Sequence, residues 1–385
     1  MDPRRSSGAD RIAGAARGSV QTRELPAVFD VPMPGYRVAV SPGLLESAGA
    51  LVESATNSHR YAIITDRTVL QLYGERLLAS FATSDARIFA VPAGEASKSR
   101  EEWARITDEM LSAGFGRDST VVTLGGGVVG DLGGFVAATY MRGIPFAQVP
   151  TTLLAMVDAS VGGKTGIDTP HGKNIVGAFH QPAIVVIDPE VLSTLPVEHR
   201  RAGIAEMIKH GVIADAEYFE RVIASLRVLL EGTGNGETIA ALVAASVEIK
   251  GEIVRRDERE QGLRKVLNFG HTVAHAIERA SKWAVPHGEA VAIGMVLEAR
   301  LAERVRVAPA SLASRILDAV QRAGLPSERP ASLSPEALLA AMGTDKKMRR
   351  GKLAFALPAD IGKMAGEEDG WLVTASDVEI LAALA

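Results

Sequence analysis

"STVVTLGGGVVGDLGGFVAATYMRG", residues 119–143, runs from β-branched apolar residues through a glycine cluster into small apolar residues. Gly125, Gly127 and Gly130 stand at that junction in a G-x-G-x-x-G arrangement. In a strand-to-helix turn such glycines let the backbone approach a pyrophosphate, and the first N–H groups of the helix meet its negative charge. They would equally serve a tight turn with close helix-on-strand packing, so the motif alone leaves both uses open. Either way it predicts a strand feeding a helix in an α/β scaffold.

Outward from this stretch, "YAIITD" (61–66), "ARIFAVPAG" (86–94), "FAQVP" (146–150) and "AIVVID" (183–188) read as further strands. Helix-like segments such as "SREEWARITDEMLSAG" (99–114) lie between several of them. This alternation predicts a Rossmann-like, largely parallel α/β domain over 27–187. After Pro196, segments such as "EHRRAGIAEMIKHGVI", "ETIAALVAASVEIKGEIVRRDE" and "GEAVAIGMVLEARLAERV" carry apolar residues three and four apart. The second domain, 188–385, is therefore expected to be all-α. Residues 1–26, rich in Arg, Gly, Ser and Ala and without an apolar core, read as a mobile tail rather than a secretory signal.

Composition narrows the function. The chain has 385 residues, 47% hydrophobic and 23% charged, enough for a substantial core. A formal net charge of -4 gives no electrostatic case for nucleic acid or an anionic membrane. No apolar run reaches the roughly 18–20 residues of a spanning helix, so a soluble chain is expected. With no cysteine, any metal must be held by histidines and carboxylates.

The polar residues gather in a few places. A dinucleotide fingerprint usually has an acid on the ribose about 20 residues downstream, yet no Asp or Glu occurs between Asp131 and Asp158. Asp66, at the end of a predicted strand, could supply that acid or could cap the next helix. Between 149 and 182, Thr151, Thr152, Asp158, Lys164, Asp168, Lys173 and Asn174 lie among glycines. Such a run suits either a surface loop or a cleft where backbone and ammonium groups surround anions. In "GIAEMIKHG", Glu206 and Lys209 project from one helical face. In "LRKVLNFGHTVAHAIE" (263–278), Arg264, Asn268, His271 and His275 recur at intervals of four, three and four. His287 follows in "VPHGEAVAIGM". Two metal sets fit this pattern: Glu206 with His271 and His287, or His271 with His275 and a third ligand. Spacing does not choose between them.

These stretches, with "PAGEASKS", "GGKTGIDTPHGKNIVGAF", "TLP", "RDERE" and "DKK", resemble 3-dehydroquinate synthases of the sugar phosphate cyclase superfamily over about residues 27–380. The resemblance implies a dehydroquinate synthase-like fold and a cytoplasmic homodimer using NAD and a divalent metal, zinc or cobalt. The implied reaction converts 3-deoxy-D-arabino-heptulosonate 7-phosphate into 3-dehydroquinate and phosphate, a shikimate-pathway step. It would proceed by transient oxidation, phosphate elimination, re-reduction and intramolecular aldol cyclisation. The resemblance assigns the metal to Glu206, His271 and His287. It places Asp66, Glu95, Lys98, Gly127, Val128, Val129, Gly130, Asp131, Thr151, Thr152 and Thr194 around NAD, with Lys164 and Lys173 reaching cofactor and substrate. Arg142, Asp158, Asn174, Lys209, Lys250, Arg264, Asn268 and the pair Lys346 and Lys347 would meet the substrate, Arg142 in the neighbouring subunit, while His275 assists proton transfer. Phe269 and Ala274 depart from commoner forms of their segment and should alter only packing.

Overall fold

A computed structural model of the chain describes residues 28–82, 85–343, 348–349 and 352–385. The tail at 1–26 and the pair Lys346 and Lys347 lie outside the described residues. The seven-stranded sheet is built from β1 (Phe29–Met33), β2 (Tyr36–Val40), β3 (Arg60–Asp66), β4 (Asp85–Val91), β5 (Ser119–Gly125), β6 (Phe146–Pro150) and, after a hairpin of β7 (Lys164–Thr169) and β8 (Gly172–Phe179), β9 (Ile184–Ile187). Its order is β1-β2-β9-β6-β5-β3-β4. Pairing is parallel from β2 to β4, and β1 closes one edge as an antiparallel hairpin with β2. β5, β6 and β9 are buried along their whole length, which is why β5 and β9 read as runs of Val, Ile and Thr rather than alternating ones.

Both hairpins escaped the sequence reading. β1 contains Pro32, tolerable because β1 is an edge strand needing few donors. β7 and β8 are spelled with glycines that resemble loop chemistry, but Gly166 pairs directly with Gly177 in a ladder. The polar run at 149–182 is thus largely a two-stranded arm.

Beyond β9 the chain is mainly helical, led by helices Val197–Ala214, Gly236–Arg256, His271–Ala280 and His287–Arg304. The expectation of an all-α second half is corrected near the C-terminus, where short strands Lys352–Phe355, Pro358–Asp360, Lys363–Met364 and Val373–Ala375 form two small sheets. These segments are too short and too interrupted by Pro and Gly to hold a helix turn count. One apolar cluster runs from Val31 and Val38 through Ile184 and Val186 to Ile204, Ile277, Val296 and Leu384, so sheet and helices share a core. A smaller cluster fills the other face, between β3, β4 and β5 and the helices Arg100–Ser112 and Gly127–Thr139. No helix among the described residues is long and apolar enough to cross a membrane.

Candidate active site

Three helices bring one carboxylate and two imidazoles together. Glu206 lies mid-way along helix Val197–Ala214 and is fully buried, His271 opens helix His271–Ala280, and His287 opens helix His287–Arg304. His271 Nε2 stands 3.6 Å from Glu206 Oε1 and His287 Nε2 stands 3.9 Å from the same oxygen. That oxygen is buried without a hydrogen-bond partner, while Lys209 Nζ pairs with the other, Oε2. A buried carboxylate oxygen is costly when unsatisfied. Facing two ring nitrogens, it has the character of a cation site with three protein ligands.

The ring nitrogens are set by their outer partners. His271 Nδ1 lies 3.1 Å from the carbonyl of Phe269, which can only accept, so Nδ1 carries the proton and Nε2 presents its lone pair to the site. Burial, with Lys209 and the other two imidazoles, holds His271 well below the usual histidine range and so neutral. His287 Nδ1 lies 3.2 Å from Glu278 Oε1. Burial lowers the His287 pKa, but the hydrogen bond and charge of Glu278, with Glu206, leave it raised overall. A carboxylate behind a histidine is the usual support of a metal ligand. The start of the His271 helix is fixed by Glu298, which is fully buried and accepts from Gly270 N at 2.7 Å and Val273 N at 3.0 Å. Two glycines permit this crossing: Gly270 has a φ of 80°, and a Cβ on Gly294 would lie 2.0 Å from the Gly270 carbonyl oxygen. His275 stands edge-on to His271 with ring centroids 5.6 Å apart. Among the described residues, the groups that bring three donors within 4.8 Å are Glu206, His271, His287 and Asp158, Glu206, His210; His275 is in neither.

Beside this group lies a compensated one. Lys250 Nζ donates to Asp158 O at 2.6 Å and to Asp158 Oδ1 at 2.8 Å, and Lys209 Nζ stands 3.9 Å from that oxygen. Burial would raise the Asp158 carboxyl, but Lys250, Lys209 and His210 hold it well below the usual carboxylate range. Burial lowers Lys250. Lys209, between Glu206 and Asp158, stays raised despite its burial. Arg264, 2% exposed, donates to the carbonyls of Glu258 and of Gly162, the latter at 3.1 Å, and so ties its loop to the turn before β7. Further out, Glu260 joins two of the expected residues: it pairs with Lys164 and accepts from Asn268 Nδ2 at 2.6 Å. Burial raises the Glu260 carboxyl, yet Lys164 and Asn268 bring it below its usual value.

At the C-terminal ends of the strands stands the second part of the site. Gly126 begins helix Gly127–Thr139 without a side-chain cap, leaving first-turn N–H groups free of one. Gly125, Gly127 and Gly130 all have negative φ, so they provide room rather than a left-handed turn: a Cβ on Gly130 would lie 2.8 Å from Gln148 Oε1. The Val128 side chain is half-buried, whereas that of Val129 is in the core, which leaves its backbone for any ligand. Asp66 caps the turn after β3, its Oδ1 accepting from Thr68 N at 2.8 Å and Val69 N at 3.0 Å. Thr151 Oγ1 is buried with no hydrogen-bond partner, while Thr152 Oγ1 accepts from Ala155 N at 3.2 Å. Lys98 Nζ meets Asp131 Oδ2 at 2.5 Å. Burial raises the Asp131 carboxyl, with Lys98 opposing the shift. Lys173 Nζ meets Glu95 Oε1 at 3.2 Å, and Asn174 N donates to Asp168 Oδ1 at 2.9 Å. Thr194 is exposed, with Oγ1 2.5 Å from Tyr73 OH. Arg142 sits apart from all of these contacts, exposed on a turn with φ 69°.

The 3-dehydroquinate synthase N-terminal family matches residues 88–202, and the 3-dehydroquinate synthase C-terminal family matches residues 203–348. The chain belongs to the 3-dehydroquinate synthase family. It is 41% identical to the 3-dehydroquinate synthase of Nostoc punctiforme over 86% of this chain and 93% of that one. With the enzyme of Symbiobacterium thermophilum it shares 45% identity over 87% and 94%. Among solved structures it is similar to a 2-epi-5-epi-valiolone synthase from Streptomyces hygroscopicus with NAD+ and Zn2+ bound, at 31% identity and TM-score 0.81, covering 92% of this chain and 97% of that one. A "probable glycerol dehydrogenase" from Sinorhizobium meliloti, 16% identical with TM-score 0.58 and coverage of 89% and 93%, shares the fold alone.

Around this candidate site, Glu260, Glu278 and Glu298 were not among the residues expected from the sequence. Glu260 closes the quoted "RDERE", and Glu278 lies seven residues after His271 on the same helical face. Glu298 had one signal, an acid inside the apolar run of a buried helix.

Proposed function

We propose that this chain is a 3-dehydroquinate synthase, converting 3-deoxy-D-arabino-heptulosonate 7-phosphate into 3-dehydroquinate and phosphate with NAD and a divalent metal, zinc or cobalt. The observation that carries the reading is the buried, unsatisfied oxygen of Glu206 facing His271 and His287, beside Lys209 on its own helix and the Lys250–Asp158 pair. The family membership supports the substrate, and the NAD+ and Zn2+ bound by the valiolone synthase support the cofactors. Residues 27–187 serve as the NAD-binding half and 188–385 as the metal- and substrate-binding half of a cytoplasmic homodimer in the shikimate pathway.

Glu206, His271 and His287 would hold the metal, with Glu278 and the Phe269 carbonyl fixing the two rings. The glycine turn at 125–130, with Asp66, Glu95, Lys98, Asp131, Thr151, Thr152 and Thr194, would hold NAD. When bound, NAD supplies a temporary oxidation that acidifies the C–H next to the leaving phosphate, and the divalent ion supplies Lewis-acid stabilisation of substrate oxygens. Asp158 opposes the loss of charge that burial imposes on Lys250 and Lys209 and holds both in place. Those ammonium groups, with Lys164, Lys173, Asn174, Asn268 and Arg264, would bind phosphate and carboxylate and keep the sugar chain in a cyclisable shape. Arg142, exposed and apart, fits service to a second copy of the chain. His275 would move a proton at the phosphate side.

The test is phosphate release and carbocycle formation by protein loaded with NAD and zinc or cobalt. Turnover of the heptulosonate phosphate without lasting NADH accumulation is expected. Turnover confined to sedoheptulose 7-phosphate, or full activity after chelation, would overturn the reading.

A further inference from the structure

Lys173 on β8 has partners on two sides of the site. Glu95, on the turn after β4, stands 3.2 Å from its ammonium. The ring of Trp283, on the turn between the helices that begin with His271 and His287, has its centroid 4.5 Å from the same nitrogen. Trp283 is an unexpected residue there. It follows Lys282 as a second consecutive non-glycine residue with positive φ, 54° and then 67°, where glycine would be the unstrained choice. The residue is 46% exposed. The turn already closes through backbone bonds from Lys282 N to Arg279 O at 3.1 Å and from Trp283 N to Glu278 O at 2.7 Å. The indole is therefore not needed to hold the chain, and a large aromatic kept in the open on a strained backbone points to a use for its face.

We propose that Trp283 is a positioning residue for Lys173: its ring face holds the ammonium while leaving the N–H groups to an anionic group of the ligand. The inference rests on the preceding reading for the identity of that ligand, a phosphorylated sugar acid. Glu95 and the ring are different kinds of partner. A carboxylate compensates the ammonium charge and competes with an arriving phosphate or carboxylate, and being partly exposed it is displaced at little cost. The ring quadrupole attracts the cation without adding a negative charge that would repel the anion. Lys173 can thus trade Glu95 for the ligand while Trp283 keeps it aimed.

The experiment compares Trp283→Gly, which relieves the backbone and removes the ring, with Trp283→Phe, which keeps a ring. Trp283→Gly should raise the substrate KM about three- to tenfold with kcat within about twofold, while Trp283→Phe stays within about twofold of the parent on both. Lys173→Met combined with Trp283→Gly should be no worse than Lys173→Met alone. A second readout needs no turnover: Lys173→Met, or inorganic phosphate added to the parent, should change tryptophan emission, and neither should do so in the Trp283→Phe background. Equal damage from the Gly and Phe variants, multiplying losses in the double variant, or emission indifferent to Lys173 would overturn the proposal. If the unaltered protein releases no phosphate from the heptulosonate phosphate, the reading of function fails on that result, and the emission arm still decides the pair.

Discussion

The cluster around Glu206 and Asp158 and the cluster around Glu95, Lys173, Lys164 and Glu260 use the same residue types to different ends. In the first, Glu206, Lys209, His210 and Lys250 are between 0% and 6% exposed. Asp158 is the exception, its side chain 27% exposed; for Glu206, Lys209 and Lys250 water cannot substitute for a lost partner, so their charges are held in a fixed arrangement. In the second, side chains are 25% to 56% exposed, and their ion pairs can open to a ligand at low cost. Even within the inner cluster the carboxylates differ. Asp158 is covered by Lys250, while Glu206 keeps one oxygen unsatisfied and aimed at two imidazoles. Burial thus fixes the chemistry at the inner cluster and leaves ligand exchange to the outer one.

The strongest break of this contrast is His271→Ala. It should abolish metal retention after gel filtration and lower activity more than about a thousandfold, since removing one of three ligands opens the site. His275→Ala should keep the metal and slow turnover; equal metal loss in both would favour the pair on one helix.

Next comes Asp158→Asn, which leaves Lys250 and Lys209 without their shared counter-charge. A loss of about 3 kcal/mol is expected at pH 7, read by urea unfolding. The sign with pH follows from the depressed carboxyl. Its contribution is complete above the ordinary Asp range, about pH 4, and is lost as pH falls through the lower folded value. The difference between variant and parent should therefore shrink toward low pH, and a constant difference would deny the charge its role.

Glu278→Gln sharpens the same contrast from behind the site. It should lower metal affinity about ten- to hundredfold by loosening His287, with a circular dichroism spectrum unchanged. The smallest effect on stability belongs to the outer cluster: Lys164→Met should raise the substrate KM about tenfold yet move the urea midpoint by less than about 0.5 kcal/mol equivalent. A Lys164 variant as unstable as the Asp158 variant would erase the distinction between the clusters.

Much of the scaffold was legible because its signals are local. β3, β5, β6 and β9 are short apolar runs buried on both faces, β4 is a further apolar run at the sheet edge, and five such runs between turn residues admit few readings. The two hairpins were not legible: Pro32 and the glycines of β7 and β8 imitate loop chemistry, and only pairing with a distant partner makes them strands. Asp66 kept both of its readings, because one oxygen caps a turn while the residue still stands at a strand end facing the glycine turn.

By itself the sequence determined the parallel α/β sheet, the glycine turn, the cysteine-free donor set and the family, since each is written in consecutive residues or in composition. The tertiary structure alone decided what surrounds His271. Its ring lies 5.6 Å from that of His275 and 5.4 Å from that of His287, so proximity scarcely distinguishes them. What distinguishes them is Glu206, 65 residues before His271, whose free oxygen the helix crossing at Gly270 and Gly294 places against the ring nitrogens of His271 and His287. Helical periodicity reports neighbours on one face, but a site made where three helices meet depends on how closely their backbones can approach.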